Sequence, residues 1–243
     1  MQYALVGGVK SEPQKGLSGI CSGCGKKVIA KCGNLKVHHW AHTSVDKCDS
    51  WWENETEWHR DWKSHFRSET REVTFYDSVL NEHHRADVHT NGITIELQNS
   101  PITVEELKSR NEFYDKIVWV VNGKKFKGFS VFENIPNPES KELVDYNLRS
   151  SPRLFFSRKC EAGNSMVEIL SIQSKELKHI QLSHLHYSFV WKHPHNAWYS
   201  SKAPVFIDLG GDHLFWLKRR VQEVNDYLYL KKVSKAEFIR KYS

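Results

Sequence analysis

Apolar and polar positions change their spacing several times along the chain, and each change predicts an element. Between Trp51 and Arg67 the apolar residues Trp51, Trp52, Trp58, Trp62 and Phe66 recur at helical intervals. Asn54 stands where a cap would, and Glu55 and Glu57 fall in the first turn, so the segment predicts a helix. Glu55, His59 and Lys63 are spaced by four and form one polar line on it, which solvent exposure alone would also explain. Strands are expected near 71–79, 84–90 and 92–98, then a helix at about 103–114 and a strand at 116–121. The last is apolar throughout from Ile117 to Val121, the mark of a strand covered on both faces. The expected order is αβββαβ, a mixed sheet with flanking helices.

Two of these strands carry carboxylates among apolar residues. In Ile93-Thr-Ile-Glu-Leu-Gln98, Ile93, Ile95 and Leu97 share one face, and Thr94, Glu96 and Gln98 the other. If Arg85-Ala-Asp-Val88 pairs antiparallel through a Thr90-Asn91-Gly92 turn, Asp87, Glu96 and Gln98 converge on one surface. Two carboxylates with a carbonyl, waters and a substrate phosphate suffice for Mg²⁺. A half-solvated hairpin that binds nothing has the same alternation.

Near the N-terminus, Cys21-x2-Cys24-Gly25 precedes His39-x2-His42, a set of thiolates and imidazoles suited to tetrahedral zinc. His38, Cys32 and Cys48 are alternative ligands. A redox pair normally opens a helix, whereas Gly25-Lys-Lys-Val-Ile-Ala30 reads as a strand leaving a knuckle. Four protein ligands would make the zinc structural and central to folding so small a ribbon.

Asn-Glu-Thr-Glu-Trp-His-Arg-Asp-Trp-Lys (54–63), Arg-Ala-Asp-Val (85–88), Ile-Glu-Leu-Gln-Asn-Ser (95–100) and Arg-Asn-Glu-Phe-Tyr (110–114) resemble the core of CoiA-like competence proteins, as does the cysteine–histidine segment. The resemblance implies a PD-(D/E)XK-type nuclease core at 51–135, behind a zinc ribbon at 1–50 and before an α+β accessory region at 136–243. Carried over by position, Glu55, Asp87 and Glu96 are the acidic residues, Gln98 takes the place of the superfamily's lysine, and Arg110 and Tyr114 match a helix-borne pair. Gln98 can orient water but cannot neutralise charge, a task left to Lys63 or Arg110. The expected activity is hydrolysis of DNA phosphodiesters with Mg²⁺ or Mn²⁺, in which Asp87 and Glu96 hold the metal, Glu55 completes or orients its shell, Gln98 places water, and Lys63, Arg110 or Tyr114 steady phosphate. The alternative is a DNA-binding accessory protein without turnover that promotes recombination of incoming DNA, beside recombination or DNA-uptake proteins. A nuclease acting on phage DNA would share the chemistry.

Composition adds bounds. The 243 residues are 39% hydrophobic, no membrane span is visible, and the N-terminus lacks a signal-like apolar stretch and predicts a strand. Five cysteines with metal-like spacing suggest a reducing cytoplasm. The net charge of +6 permits phosphate binding, and Lys26, Lys27, Lys31 and Lys36, then Lys124, Lys125 and Lys127, then Lys218, Arg219 and Arg220 form clusters that could touch DNA or simply be solvated.

Past Pro136 and Pro138, which read as a linker, strands are expected at 152–159 and 166–172. Residues 178–190 are ambiguous, and a hairpin is expected about Gly210-Gly211. Val221, Val224 and Leu228 predict a helix from about Arg219, with a second near Lys235. His184, His186, His193, His195, Trp191 and Trp198 match no tight ligand pattern and read as packing or surface residues, although Trp191-Lys-His-Pro-His195 would also suit a DNA-contacting loop.

Overall fold

The computed structural model describes residues 1–44, 48–150, 153–162 and 166–243. They divide into two compact units, one of Met1–Val120 with Ser200–Ala203 and Ile239–Ser243, the other of Val121–Tyr199 with Pro204–Phe238.

The first unit begins with five short antiparallel strands, β1 (Ala4–Val6), β2 (Val9–Ser11), β3 (Ser18–Ile20), β4 (Lys27–Lys31) and β5 (His39–His42), in the order β2-β1-β3-β4-β5. Their core is small: Met1, Ala4, Cys21, Val28 and Trp40. Too little apolar surface is buried there to hold strands of three to five residues without further support.

Helix α1 spans Glu57–Ser64, much shorter than the periodicity at 51–67 predicts. Thr56, not Asn54, is its cap: the Thr56 hydroxyl accepts from the His59 N–H, and His59 Nδ1 accepts from the Thr56 N–H. Tertiary contacts hold Trp51 outside the helix, and Trp52 is exposed. Trp51 stacks on His84 with ring centroids 3.4 Å apart, and its carbonyl accepts from Arg110.

Strands β6 (Arg71–Asp77), β7 (Glu82–Thr90) and β8 (Ile93–Gln98) form an antiparallel meander, followed by α2 (Val104–Phe113) and β9 (Ile117–Asn122), with strand order β9-β8-β7-β6. The expected αβββαβ order and the fully buried β9 are both present. Thr103 caps α2 by accepting from the Glu106 N–H.

The second unit orders its strands β10 (Phe129–Asn134), β13 (His186–Trp191), β16 (Tyr227–Ser234), β15 (His213–Arg220) and β14 (Val205–Asp208). A separate hairpin pairs β11 (Tyr146–Ser150) with β12 (Leu154–Arg158), and short helices α3 (Asn196–Ser200) and α4 (Lys235–Tyr242) complete the elements used below. Position 152 lies outside the described residues. The strand expected at 166–172 reduces to one bridge, Leu170 to Phe156. The helix expected from Arg219 is a strand hairpin instead: Arg219 pairs with Leu228 and Arg220 with Tyr227. Val221 and Val224 are exposed, so their helical spacing marks no buried face, whereas Arg220 is buried and donates to the carbonyls of Pro138, Leu143 and Tyr146.

Candidate functional site

The β7–β8 hairpin places the central carboxylates. Asn91 and Gly92 connect the strands with φ of 51° and 73°, the left-handed pair required by a tight type I′ turn. That turn sets Thr90 opposite Ile93 and Val88 opposite Ile95. One step further, alternation brings Asp87 and Glu96 to the same face. Asp87 is fixed there by accepting the Leu97 N–H at 2.9 Å.

Around these two residues is a cavity of about 50 Å³, lined by Glu53, Glu55, His59, Arg85 and Arg110 as well as by both carboxylates. Arg110 reaches it from α2 and donates to one Glu96 oxygen at 2.9 Å, while also bonding Glu106 and the Trp51 carbonyl. The other Glu96 oxygen is buried and has no hydrogen-bond partner among the described residues, as is one oxygen of Glu53. His59 Nε2 lies 3.1 Å from the Leu97 carbonyl and 3.4 Å from Glu53. Burial works against its charge, yet Glu53 and Asp87 raise its pKa.

Lys63 is completely buried, with Nζ 2.8 Å from Glu55, 3.0 Å from Glu72 and 3.9 Å from Asp87. It therefore neutralises carboxylates within the protein, which corrects its expected place against a substrate phosphate. Although burial opposes its charge, Glu72, Glu55 and Asp87 raise its pKa well above the lysine range. Glu72 sits at φ 48°, an uncommon backbone for a non-glycine residue, and accepts the N–H groups of Gln2 and Tyr3 besides Lys63.

Gln98 and Tyr114 also differ from expectation. The Gln98 amide donates to the Ser100 carbonyl and hydroxyl at 3.2 and 3.3 Å and does not line the cavity. Tyr114 follows the last residue of α2 and packs its ring against Phe75, Trp51 and Phe113, and burial pushes its hydroxyl pKa far up. It is a core residue.

Burial, with Asp87 nearby, raises the Glu96 pKa to about 8, and burial raises that of Asp87 too. A carboxyl whose pKa is higher folded than unfolded contributes stability that is complete at low pH and is lost as pH rises through the folded value. Without added divalent metal, Glu96 should thus lower the unfolding free energy by up to about 1.4 kcal/mol per pH unit between roughly pH 5 and 8. Denaturant titrations of wild type and Glu96→Gln at several pH values check this. Equal slopes in the two proteins would refute it.

Next to this cavity, Cys21, Cys24, His42 and Cys48 bring their ligand atoms within 4.8 Å of one another, a set that could hold a metal such as zinc. Cys21 and Cys48 sulfurs are 3.6 Å apart, and Cys24 Sγ is 3.3 Å from His42 Nε2. The Gly25 N–H donates to the Cys21 carbonyl and closes the knuckle. Cys48 replaces the expected His39 because β5 alternates: His39 and His42, three apart, point to opposite faces, and His39 Nδ1 lies 2.9 Å from the Val37 carbonyl. Hydrogen bonding from Cys48, and the Arg85 guanidinium 3.3 Å from its sulfur, hold the Cys21 thiol far below its usual pKa, toward the ligating thiolate.

The cluster and the acidic cavity are joined by Asp49, next to Cys48. Its carboxylate accepts the N–H groups of Arg85 and Trp51 at 3.1 and 3.0 Å. Asp49, Glu53, His59, Glu72 and Arg85 thus join a site in which sequence reasoning gave them no role. For Arg85 a signal existed, since it stands two residues before Asp87 on one strand and so shares its face. For Glu72, seventy positions from Gln2, none did.

Residues 14–50 match a family model described as competence protein CoiA, N-terminal domain. No curated protein and no solved structure gives a significant match. Among the described residues, no helix is long and apolar enough to cross a membrane.

Proposed function

From a chain that is CoiA-like in its N-terminal segment, we propose a divalent-metal-dependent deoxyribonuclease whose first unit is a PD-(D/E)XK-type core. The reading is carried by one observation: a half-buried Asp87 and a buried Glu96 stand side by side on a cavity where oxygens of Glu96 and Glu53 have no hydrogen-bond partner among the described residues. Carboxylate oxygens are the donors that Mg²⁺ and Mn²⁺ prefer. When bound, such a cation would supply Lewis acidity, neutralise phosphate charge and lower the pKa of water.

Within this reading each residue has a separate task. Asp87 and Glu96 hold the cation. Lys63 positions Glu55 and Asp87 and keeps three carboxylates from repelling one another. Arg110 orients Glu96 through one oxygen and leaves the other toward the cavity. His59 and Glu53 are within reach to hold or pass a proton. The lysines at 26, 27, 31 and 36 bring phosphate backbone to the metal-binding segment. The setting would be cytoplasmic handling of DNA, in recombination of incoming strands or against phage DNA.

A second reading, a DNA-binding accessory protein without turnover, is favoured by Gln98 facing Ser100 and by Lys63 and Arg110 being already paired. One experiment separates the two. Linear and circular DNA, single- and double-stranded, is incubated with Mg²⁺ or Mn²⁺ and wild type, Asp87→Ala or Glu96→Ala. Cleavage that falls at least about a hundredfold in both variants, with DNA binding retained when no Mg²⁺ or Mn²⁺ is added, supports the nuclease. Tight binding without cleavage by wild type supports the accessory protein, and absence of both activities rejects both.

A further inference from the structure

The second unit contains a larger cavity, of about 350 Å³, that no residue of the proposed nuclease site touches. Its volume is within the range of small-molecule pockets, roughly 300–1,000 Å³. Asn147 and Ser150 from β11, Phe189 and Trp191 from β13, Tyr199 from α3 and Tyr227 from β16 line it. We propose that it binds an unpaired nucleobase of single-stranded DNA by stacking on aromatic rings and by hydrogen bonds to Trp191 and Asn147.

The aromatic wall is packed ring against ring without any ligand. Trp191 stacks on Phe126, with centroids 4.3 Å apart and planes 22° apart, and meets Phe129 and Tyr199 edge-on at 5.3 and 5.6 Å. Rings fixed in this way offer stacking surfaces without the entropy of ordering them. Every base has a π face, whereas an aliphatic ligand would gain less from such a wall.

The polar atoms of the wall are complementary in kind. The Trp191 indole N–H, the Asn147 side-chain oxygen and the Tyr227 hydroxyl, all on residues that line the cavity, are each buried and have no hydrogen-bond partner among the described residues. An unpaired buried donor or acceptor is costly, so native proteins usually pair such atoms within the protein or with water or ligand. A donor, an acceptor and a hydroxyl able to act as either suit the amide-like edge of a base, which presents both kinds of group.

Charge narrows the class further. Asp226, the acidic residue of the wall, is already tied to Arg219 at 2.9 Å, so the interior presents no free carboxylate to a base. Arg149 lines the cavity and is exposed, where it can meet the phosphate attached to a bound base. The choice of a DNA strand as the source of the base rests on the proposed function, but the chemistry of the cavity does not.

The test uses the full chain without added Mg²⁺ or Mn²⁺. Binding of a labelled oligothymidylate and of a blunt duplex is followed by anisotropy, and a 5-iodouracil oligomer is photocrosslinked and the adduct mapped. The variants are Val224→Trp, which fills the cavity from an exposed position, and Trp191→Phe, which keeps a ring but removes the N–H. Melting curves confirm that both fold. Crosslinks on β13 or β16, a loss of at least about fivefold in oligomer affinity in Val224→Trp, a loss of about fivefold in Trp191→Phe and unchanged duplex binding support the base pocket. Oligomer binding with crosslinks elsewhere and no effect of Val224→Trp overturns it while leaving the DNA reading intact. If neither oligomer nor duplex binds, the DNA reading fails, and equilibrium dialysis with thymidine and guanosine monophosphates decides: binding lost in Val224→Trp keeps a base pocket for free nucleotides, and no binding overturns it.

Discussion

Cys48→Ala is expected to abolish zinc binding at the Cys21, Cys24, His42 and Cys48 cluster and to melt the five-stranded ribbon, while His39→Ala retains zinc binding and the ribbon. In wild type, Cys21, Cys24, His42 and Cys48 already stand within tetrahedral reach of one ion, and the ribbon has only Met1, Ala4, Cys21, Val28 and Trp40 as its buried core. A structural zinc of this type contributes on the order of 10 kcal/mol, far more than so small a core supplies. The damage should extend beyond the ribbon, because Arg85 bonds Cys21 Sγ and Asp49 bonds Arg85 and Trp51, both of which line the acidic cavity. Metal content per chain by atomic emission, with a melting curve, reads the result directly. Retention of zinc by Cys48→Ala together with its loss from His39→Ala would restore the ligand set expected from the sequence.

Lys63→Met should destabilise the first unit by about 3–5 kcal/mol at neutral pH, the usual consequence of removing one partner from a buried ionic cluster. Methionine matches the length of the side chain but leaves Glu55, Glu72 and Asp87 to repel one another in a water-poor interior. The pH dependence identifies the cause. Burial raises the Glu72 pKa, but Lys63 outweighs it and holds the carboxyl below the usual range, so wild type has this stability above the unfolded pKa and loses it as pH falls through the folded one. In Lys63→Met that depression is gone, and the deficit should shrink toward pH 5 as the carboxyls take up protons. Glu72→Gln added to Lys63→Met should recover part of the loss, with a coupling energy of about 1 kcal/mol or more. A deficit that is constant with pH would assign the effect to packing instead.

The expected helix at 51–67 shows where local pattern stops being sufficient. Its apolar spacing is real, yet Trp51 has a better partner in His84 than in a helical turn, so the helix starts only at the Thr56 cap. The same limit appears at 219–228, where Val221, Val224 and Leu228 fit a helix but the backbone pairs as β15–β16, because hydrogen-bonding to a distant strand outweighs a weak local preference.

By itself the sequence determined the αβββαβ order, the buried β9, and the meeting of Asp87 and Glu96, since strand alternation and an Asn-Gly turn are local rules with little freedom. It also marked the Cys-x-x-Cys knuckle. Only the tertiary structure decided which fourth residue completes that cluster, that Lys63 is enclosed by three carboxylates, that Gln98 and Tyr114 stand outside the cavity, and that Glu72, His59 and Arg85 belong around it. Those outcomes depend on charges and carbonyls brought together from different elements of the fold, whose attraction and burial cost exist only once the chain has closed around them.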